Sequence, residues 1–71
     1  MMPLTMISPG QTGSIQRVSG NEETRRFLEN LGFVTGEEVT VLSALGGSVI
    51  VNVKDSRVAV NEDMARHIMV R

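Results

Sequence analysis

The chain has 71 residues, no cysteine and a single histidine, His67, and this short length limits its possible folds more than any other feature. A domain of this size buries only roughly 60% of the surface that its unfolded chain exposes. Small folds are usually reinforced by disulfides or by a structural metal, and this composition supplies neither. We therefore expect one thin-cored domain over residues 1–71, stabilised by packing or by contacts with a partner.

Charge and aromatic content exclude several kinds of partner. Seven basic residues against eight acidic ones give a net charge of −1, which does not favour binding to a nucleic-acid backbone or an anionic membrane. Without Trp or Tyr the chain lacks the platforms that stack single-stranded bases or proline-rich peptides. No apolar run approaches the ~20 residues of a spanning helix, and the N-terminus does not resemble a signal peptide. We expect no nucleic-acid binding, no membrane insertion and, since cysteine is absent, a cytoplasmic location.

Two segments carry helix-start signals, in each case an asparagine followed by two acidic residues. The first predicts a helix over residues 21–31, because Asn21 can cap the free amides and the acids meet the positive end of the helix dipole. Gly32 fits the left-handed position past the helix end, with Phe33 packing back over Leu28. The second signal, at Asn61, predicts a short helical turn over residues 61–66. The apolar stripe of the first helix should face the core and consists of Thr24, Phe27, Leu28 and Leu31.

Alternating apolar residues predict β-strands for most of the remaining chain. The odd spacing of Ile15 and Val18 predicts a short strand with a bulge or an early end. Val39 begins a strand that ends in a hairpin-like connection at residues 43–47, and a second hairpin turns at 55–56 before a closing strand at 68–70. Five short strands and one real helix favour a mainly β fold, a small closed or nearly closed barrel. The inward side chains should be Ile15, Leu28, Leu31, Val39, Val41, Val49, Val51, Val53, Val58, Val60 and Ile68.

The sequence contains no recognisable catalytic set. The serines have only one possible imidazole partner, His67, and the chain is too small to enclose a site around such a pair. The glycine-rich segments lack the lysine and the following helix of a phosphate-binding loop. We therefore predict that the protein is not an enzyme and requires no cofactor.

A metal site could form only around the second helical turn. His67 can pair with Asp63 four residues before it, with Glu62 near by as an oxygen ligand. A single histidine beside a helix end is, however, more often a partly exposed surface residue. We predict no metal site and keep these three residues as the only candidates.

Two surface features could contact a partner. Leu45 stands at a loop tip beside Gly46 and Gly47 and has no obvious core to enter, although turn chemistry alone could explain the segment. Arg25 and Arg26 could form a docking face on the first helix, although their spacing from neighbouring glutamates also fits ordinary ion pairs on a solvated surface. We take these five residues as the candidate partner-binding set.

The order of these motifs resembles the FeoA family over nearly the whole chain. The most specific element is the LGFVTG motif at residues 31–36, where a helix cap and a turn are fused. Residues 44–48, 57–60 and 61–68 resemble the family's loop, its penultimate strand and its short helix before the final strand. The loop departs from the family pattern, since many members have Leu-Gly-Asp-Pro where this chain has Leu-Gly-Gly-Ser at 45–48.

The resemblance implies an SH3-like barrel that works in the cytoplasm with FeoB, the membrane ferrous-iron transporter with a GTPase domain. It would act by contact, as a regulator or an assembly factor. A related barrel forms the C-terminal domain of iron-dependent repressors of the DtxR type, so a sensor or peptide-binding module is an alternative. Two further alternatives are a direct Fe(II) carrier that uses His67, Asp63 and Glu62, and a weak homo-oligomer formed through an unpaired sheet edge.

Overall fold

The computed structural model describes residues 1–71 and contains six β-strands, two α-helices and a 3-10 helix at Leu4–Met6. The strands are β1 (Met2–Pro3), β2 (Thr12–Val18), β3 (Glu38–Leu45), β4 (Ser48–Val53), β5 (Ser56–Asn61) and β6 (Ile68–Val70), and the helices are α1 (Glu22–Asn30) and α2 (Glu62–Ala65). All pairs are antiparallel in the order β1-β6-β2-β3-β4-β5, so the closing strand lies inside the sheet. The predicted mainly β class is confirmed, and β1 is one strand more than the five expected.

Both ends of α1 form as the sequence predicts. The Asn21 side chain accepts a hydrogen bond from the Thr24 amide at 2.8 Å, which satisfies one of the free amides of the first turn. At the other end Gly32 has φ of 112°, and the Phe33 amide donates to the Leu28 carbonyl at 3.1 Å. This is the bonding pattern of a glycine cap with a following apolar residue. It places Phe33 and Leu28 together in the core.

One core cluster of 13 residues occupies the interior of the sheet. It contains Leu4, Ile15, Leu28, Phe33, Val39, Val41, Val49, Val51, Val53, Val60, Ala65, Ile68 and Val70. Nine of the eleven residues predicted to point inward are among them, and the other two, Leu31 and Val58, are half-buried and pack against the cluster.

The expectation that Phe27 faces the core is wrong, because its side chain is 48% exposed. Successive helical residues are about 100° apart around the axis. Since α1 buries Leu28 completely, Phe27 lies at the margin of the contact. The sheet therefore covers only part of the apolar stripe of α1.

The strand pattern contains two bulges and two tight turns. The register between β2 and β6 shifts between Ile15 and Arg17, which confirms the predicted irregularity in β2. A second shift, between Val41 and Ser43, makes Leu42 an extra residue of β3. The β4–β5 turn has its left-handed corner residues at 54–55, one residue earlier than predicted, and the β3–β4 turn has them at 46–47.

Candidate partner-binding surface

The tip of the β3–β4 hairpin exposes a large apolar side chain. Leu45 is 80% exposed and pairs with Ser48 across a two-residue turn. Gly46 and Gly47 both have positive φ, at 59° and 81°, as a tight hairpin turn that matches the strand twist requires. Turn chemistry therefore explains the two glycines but does not explain why a leucine stands beside them.

The strand register places Leu45 on the outer face of the sheet together with other apolar residues. Cross-strand partners share a face, and Ile50 pairs with both Ser43 and Ala59. Leu45 lies two residues beyond Ser43, so it is on that same face. Leu42, the bulge residue, is 41% exposed, and Ala59 is also exposed. We call Leu42, Leu45, Ile50 and Ala59 the outer apolar face.

Of the four residues of the outer apolar face, only Leu45 was predicted from the sequence. The bulge at Leu42 shifts the alternation of β3, so that Ser43 and Leu45, which strict alternation from the buried Val39 and Val41 would place inward, lie on the outer face. A pattern of period two does not reveal this change of face. In the sequence Ile50, Asn52 and Lys54 alternate with valines. This alternation indicates that one side of β4 faces away from the core.

The second candidate surface lies on α1. Arg26 forms an ion pair with Glu22, as the spacing predicts, whereas Arg25 has no ion-pair partner. Both arginines are exposed. The two surfaces belong to different elements, the helix α1 and the β3–β4 hairpin.

The three metal candidates do not converge. Asp63 contacts Arg66 at 3.2 Å, and Nδ1 of the half-buried His67 lies 3.3 Å from the Ser19 hydroxyl. Glu62 is exposed in the first turn of α2. No group of three His, Cys, Asp or Glu side chains in the structure is arranged to hold a metal ion.

None of the helices has both the length and the apolar character needed to cross a membrane.

Solved structures similar to this chain include two FeoA proteins. An iron uptake regulatory protein, FeoA, is 30% identical, with 99% of this chain and 93% of that chain covered and a TM-score of 0.91. The zinc complex of Stenotrophomonas maltophilia FeoA, a prokaryotic SH3 domain protein proposed as an activating factor of ferrous iron transport, is 28% identical over 100% of this chain and 90% of that chain (TM-score 0.86). The predicted SH3-like fold is thus confirmed.

A transcriptional repressor shares the same fold. The manganese-dependent repressor is 22% identical, with 96% of this chain and 39% of that chain covered and a TM-score of 0.87. No curated protein sequence matches the chain significantly. The family model of the FeoA domain, however, matches residues 2–71. The chain therefore belongs to the FeoA family, which is linked to ferrous iron transport.

Proposed function

We propose that this protein is a cytoplasmic accessory protein of ferrous-iron uptake that regulates or assembles with a FeoB-type membrane transporter by direct contact. Family membership supports the link to iron transport. The single observation that carries the contact hypothesis is Leu45, an 80% exposed leucine beside the two-residue turn of the β3–β4 hairpin. Single exposed apolar residues are common, but here Leu42 and Ile50 extend the apolar surface along the same hairpin.

The outer apolar face has the composition of an interface core. Its four members carry no charge, and burying a leucine such as Leu45 completely contributes about 1.5–3 kcal/mol. Arg25 provides a second contact because it is an exposed cation of α1 without an ion-pair partner.

A pull-down with matched variants tests the proposal. The purified protein is immobilised and exposed to the detergent-solubilised FeoB-type transporter of the same organism and, separately, to the transporter's isolated GTPase domain. Each is tested with and without Fe(II), and with GDP or a GTP analogue. The variants are Leu45→Asp and, as the control, Met6→Asp, which places the same charge on another exposed apolar residue in a different element.

We expect the wild-type protein and Met6→Asp to retain the transporter. Leu45→Asp should weaken binding by about 10- to 150-fold, which corresponds to losing the burial of one leucine. Arg25→Glu should weaken it by a smaller factor if α1 also touches the transporter. Failure of the wild-type protein to bind in every iron and nucleotide state would refute the proposal. Equal binding by Leu45→Asp and the wild type would remove the hairpin tip from it.

A further inference from the structure

The strand β5 leaves one side of its backbone unpaired. It is the last strand in the sheet order, and its only neighbour is β4. In a two-residue hairpin the residues that flank the turn, here Val53 and Ser56, form a hydrogen-bonded pair, and every second pair along the ladder does the same. Val58 and Val60 are therefore bonded to β4. The N–H and C=O groups of Arg57 and Ala59 must point away from β4 towards the open edge.

Nothing else in the chain satisfies these edge groups. The backbone hydrogen bonds outside helices and ladders involve neither Arg57 nor Ala59, and both residues are exposed. The strand contains no proline, and no bulge interrupts its pairing with β4. Such an edge can accept a further strand.

We propose that β5 pairs antiparallel with β5 of a second copy of this chain, so that the protein forms a symmetric dimer. Two-fold symmetry allows the edge groups to bond in a register that pairs Arg57 with Ala59 of the second copy. Four main-chain hydrogen bonds then form, two on each side of the symmetry axis. Val58 meets Val58 of the second copy in the pair where side chains approach most closely. Since Val58 is half-buried against the core, the contact extends the core across the interface.

Charge favours the antiparallel direction. The basic residues Lys54, in the turn, and Arg57 lie near the start of β5, whereas Glu62 and Asp63 begin α2 directly after its end. Antiparallel pairing places the basic start of one β5 beside the acidic residues that follow the other, and two-fold symmetry produces this arrangement twice. The Lys54 ammonium has only a distant partner within its own chain, Glu37 at 3.9 Å.

One neighbouring register places like charges together. A shift of two residues in this direction sets Arg57 directly opposite Arg57 of the second copy. Like charges that face each other across strands are destabilising, so the register centred on Val58 is favoured over this one.

This dimer does not depend on the proposed function and leaves the hairpin tip free. Leu45 belongs to β3, which is separated from β5 by β4, and neighbouring strands are about 4.8 Å apart. Ala59 belongs to both the outer apolar face and the dimer edge, whereas Leu45 and Lys54 each belong to one contact, so variants at these two positions test the contacts separately.

Sedimentation equilibrium of the full chain between about 0.05 and 2 mM provides the test, because an interface of one strand pair is small and its affinity is expected to be weak. We expect the apparent mass to rise from 7.7 kDa towards twice that value. Lys54→Glu should weaken dimerisation by about tenfold, since two attractive pairs become repulsive. The double variant Lys54→Glu/Glu62→Lys should restore it. Leu45→Asp, the control for association through the outer apolar face, should dimerise normally.

Amide hydrogen exchange identifies the edge itself. At low concentration the Arg57 and Ala59 amides should exchange rapidly, while those of Val58 and Val60 are protected by β4. At high concentration the Arg57 and Ala59 amides should slow in proportion to the dimeric fraction. A constant mass of 7.7 kDa over the whole range would overturn the proposal. So would dimerisation that Leu45→Asp abolishes, or dimerisation without added protection at Arg57 and Ala59.

Discussion

The two phenylalanines of this chain permit a matched test of how its core is built. Phe33 is fully buried, and Phe27 on α1 is 48% exposed. Replacing a buried phenylalanine with alanine removes its packing and leaves a cavity, at a cost of about 3–5 kcal/mol. At about 0.05–0.15 kcal/mol per residue, a chain of 71 residues has a free energy of unfolding of about 4–11 kcal/mol. Phe33→Ala should therefore remove a large part of the total stability.

The same substitution at Phe27 should cost much less, about 1 kcal/mol, because roughly half of that side chain already contacts water and no closed cavity forms. The milder variant Phe33→Leu, which retains most of the side-chain volume, should cost about 1–1.5 kcal/mol and keep the protein folded for measurement. Urea unfolding followed by far-ultraviolet circular dichroism measures all three, since the chain has no Trp or Tyr for intrinsic fluorescence. Equal losses for Phe27→Ala and Phe33→Ala would refute this assignment of the core.

Variants at three further positions test the Asn21 cap, the close approach of Gly13 to Val70 and the metal alternative. Asn21→Ala should lower the free energy of unfolding by about 1 kcal/mol in the same urea assay, because the Thr24 amide loses its partner; Asn21→Ser, which can still cap, should cost less. Gly13→Ala should cost about 1–3 kcal/mol, since the new methyl group would lie 3.1 Å from Val70 Cβ, and an unchanged midpoint would contradict that contact. Calorimetric titration should find no saturable Fe(II) binding in the wild type or in His67→Ala, whereas saturable binding lost on that substitution would support the carrier alternative.

Local signals predicted the parts of the fold whose cause is local. The caps at Asn21 and Asn61 form because a short polar side chain reaches an amide three residues ahead, which requires no tertiary contact. Gly32 ends α1 for a similar reason, since its positive φ is a property of that position alone. These elements could be placed to within a residue or two.

Features set by long-range packing could not be predicted in the same way. β1 has two residues, too few for any alternation, and it forms because β6 offers an edge to Met2 and Pro3. The exposure of Phe27 depends on how α1 is rotated over the sheet, which its own periodicity does not fix. For the candidate site, glycines beside Leu45 suggested an exposed tip, but Leu42 and Ile50 become its neighbours only through the bulge in β3.

The position of Leu45 separates binding from folding. An 80% exposed side chain contributes little to a core of 13 buried residues, and surface substitutions of this kind usually change stability by no more than about 0.5 kcal/mol. Leu45→Asp should therefore leave the urea midpoint almost unchanged. Loss of transporter binding with unchanged stability would mean that the leucine serves a contact and not the fold. If Leu45→Asp instead destabilised the protein as strongly as Phe33→Leu, the hairpin tip would have a structural role, and its exposure would no longer support the proposed interface.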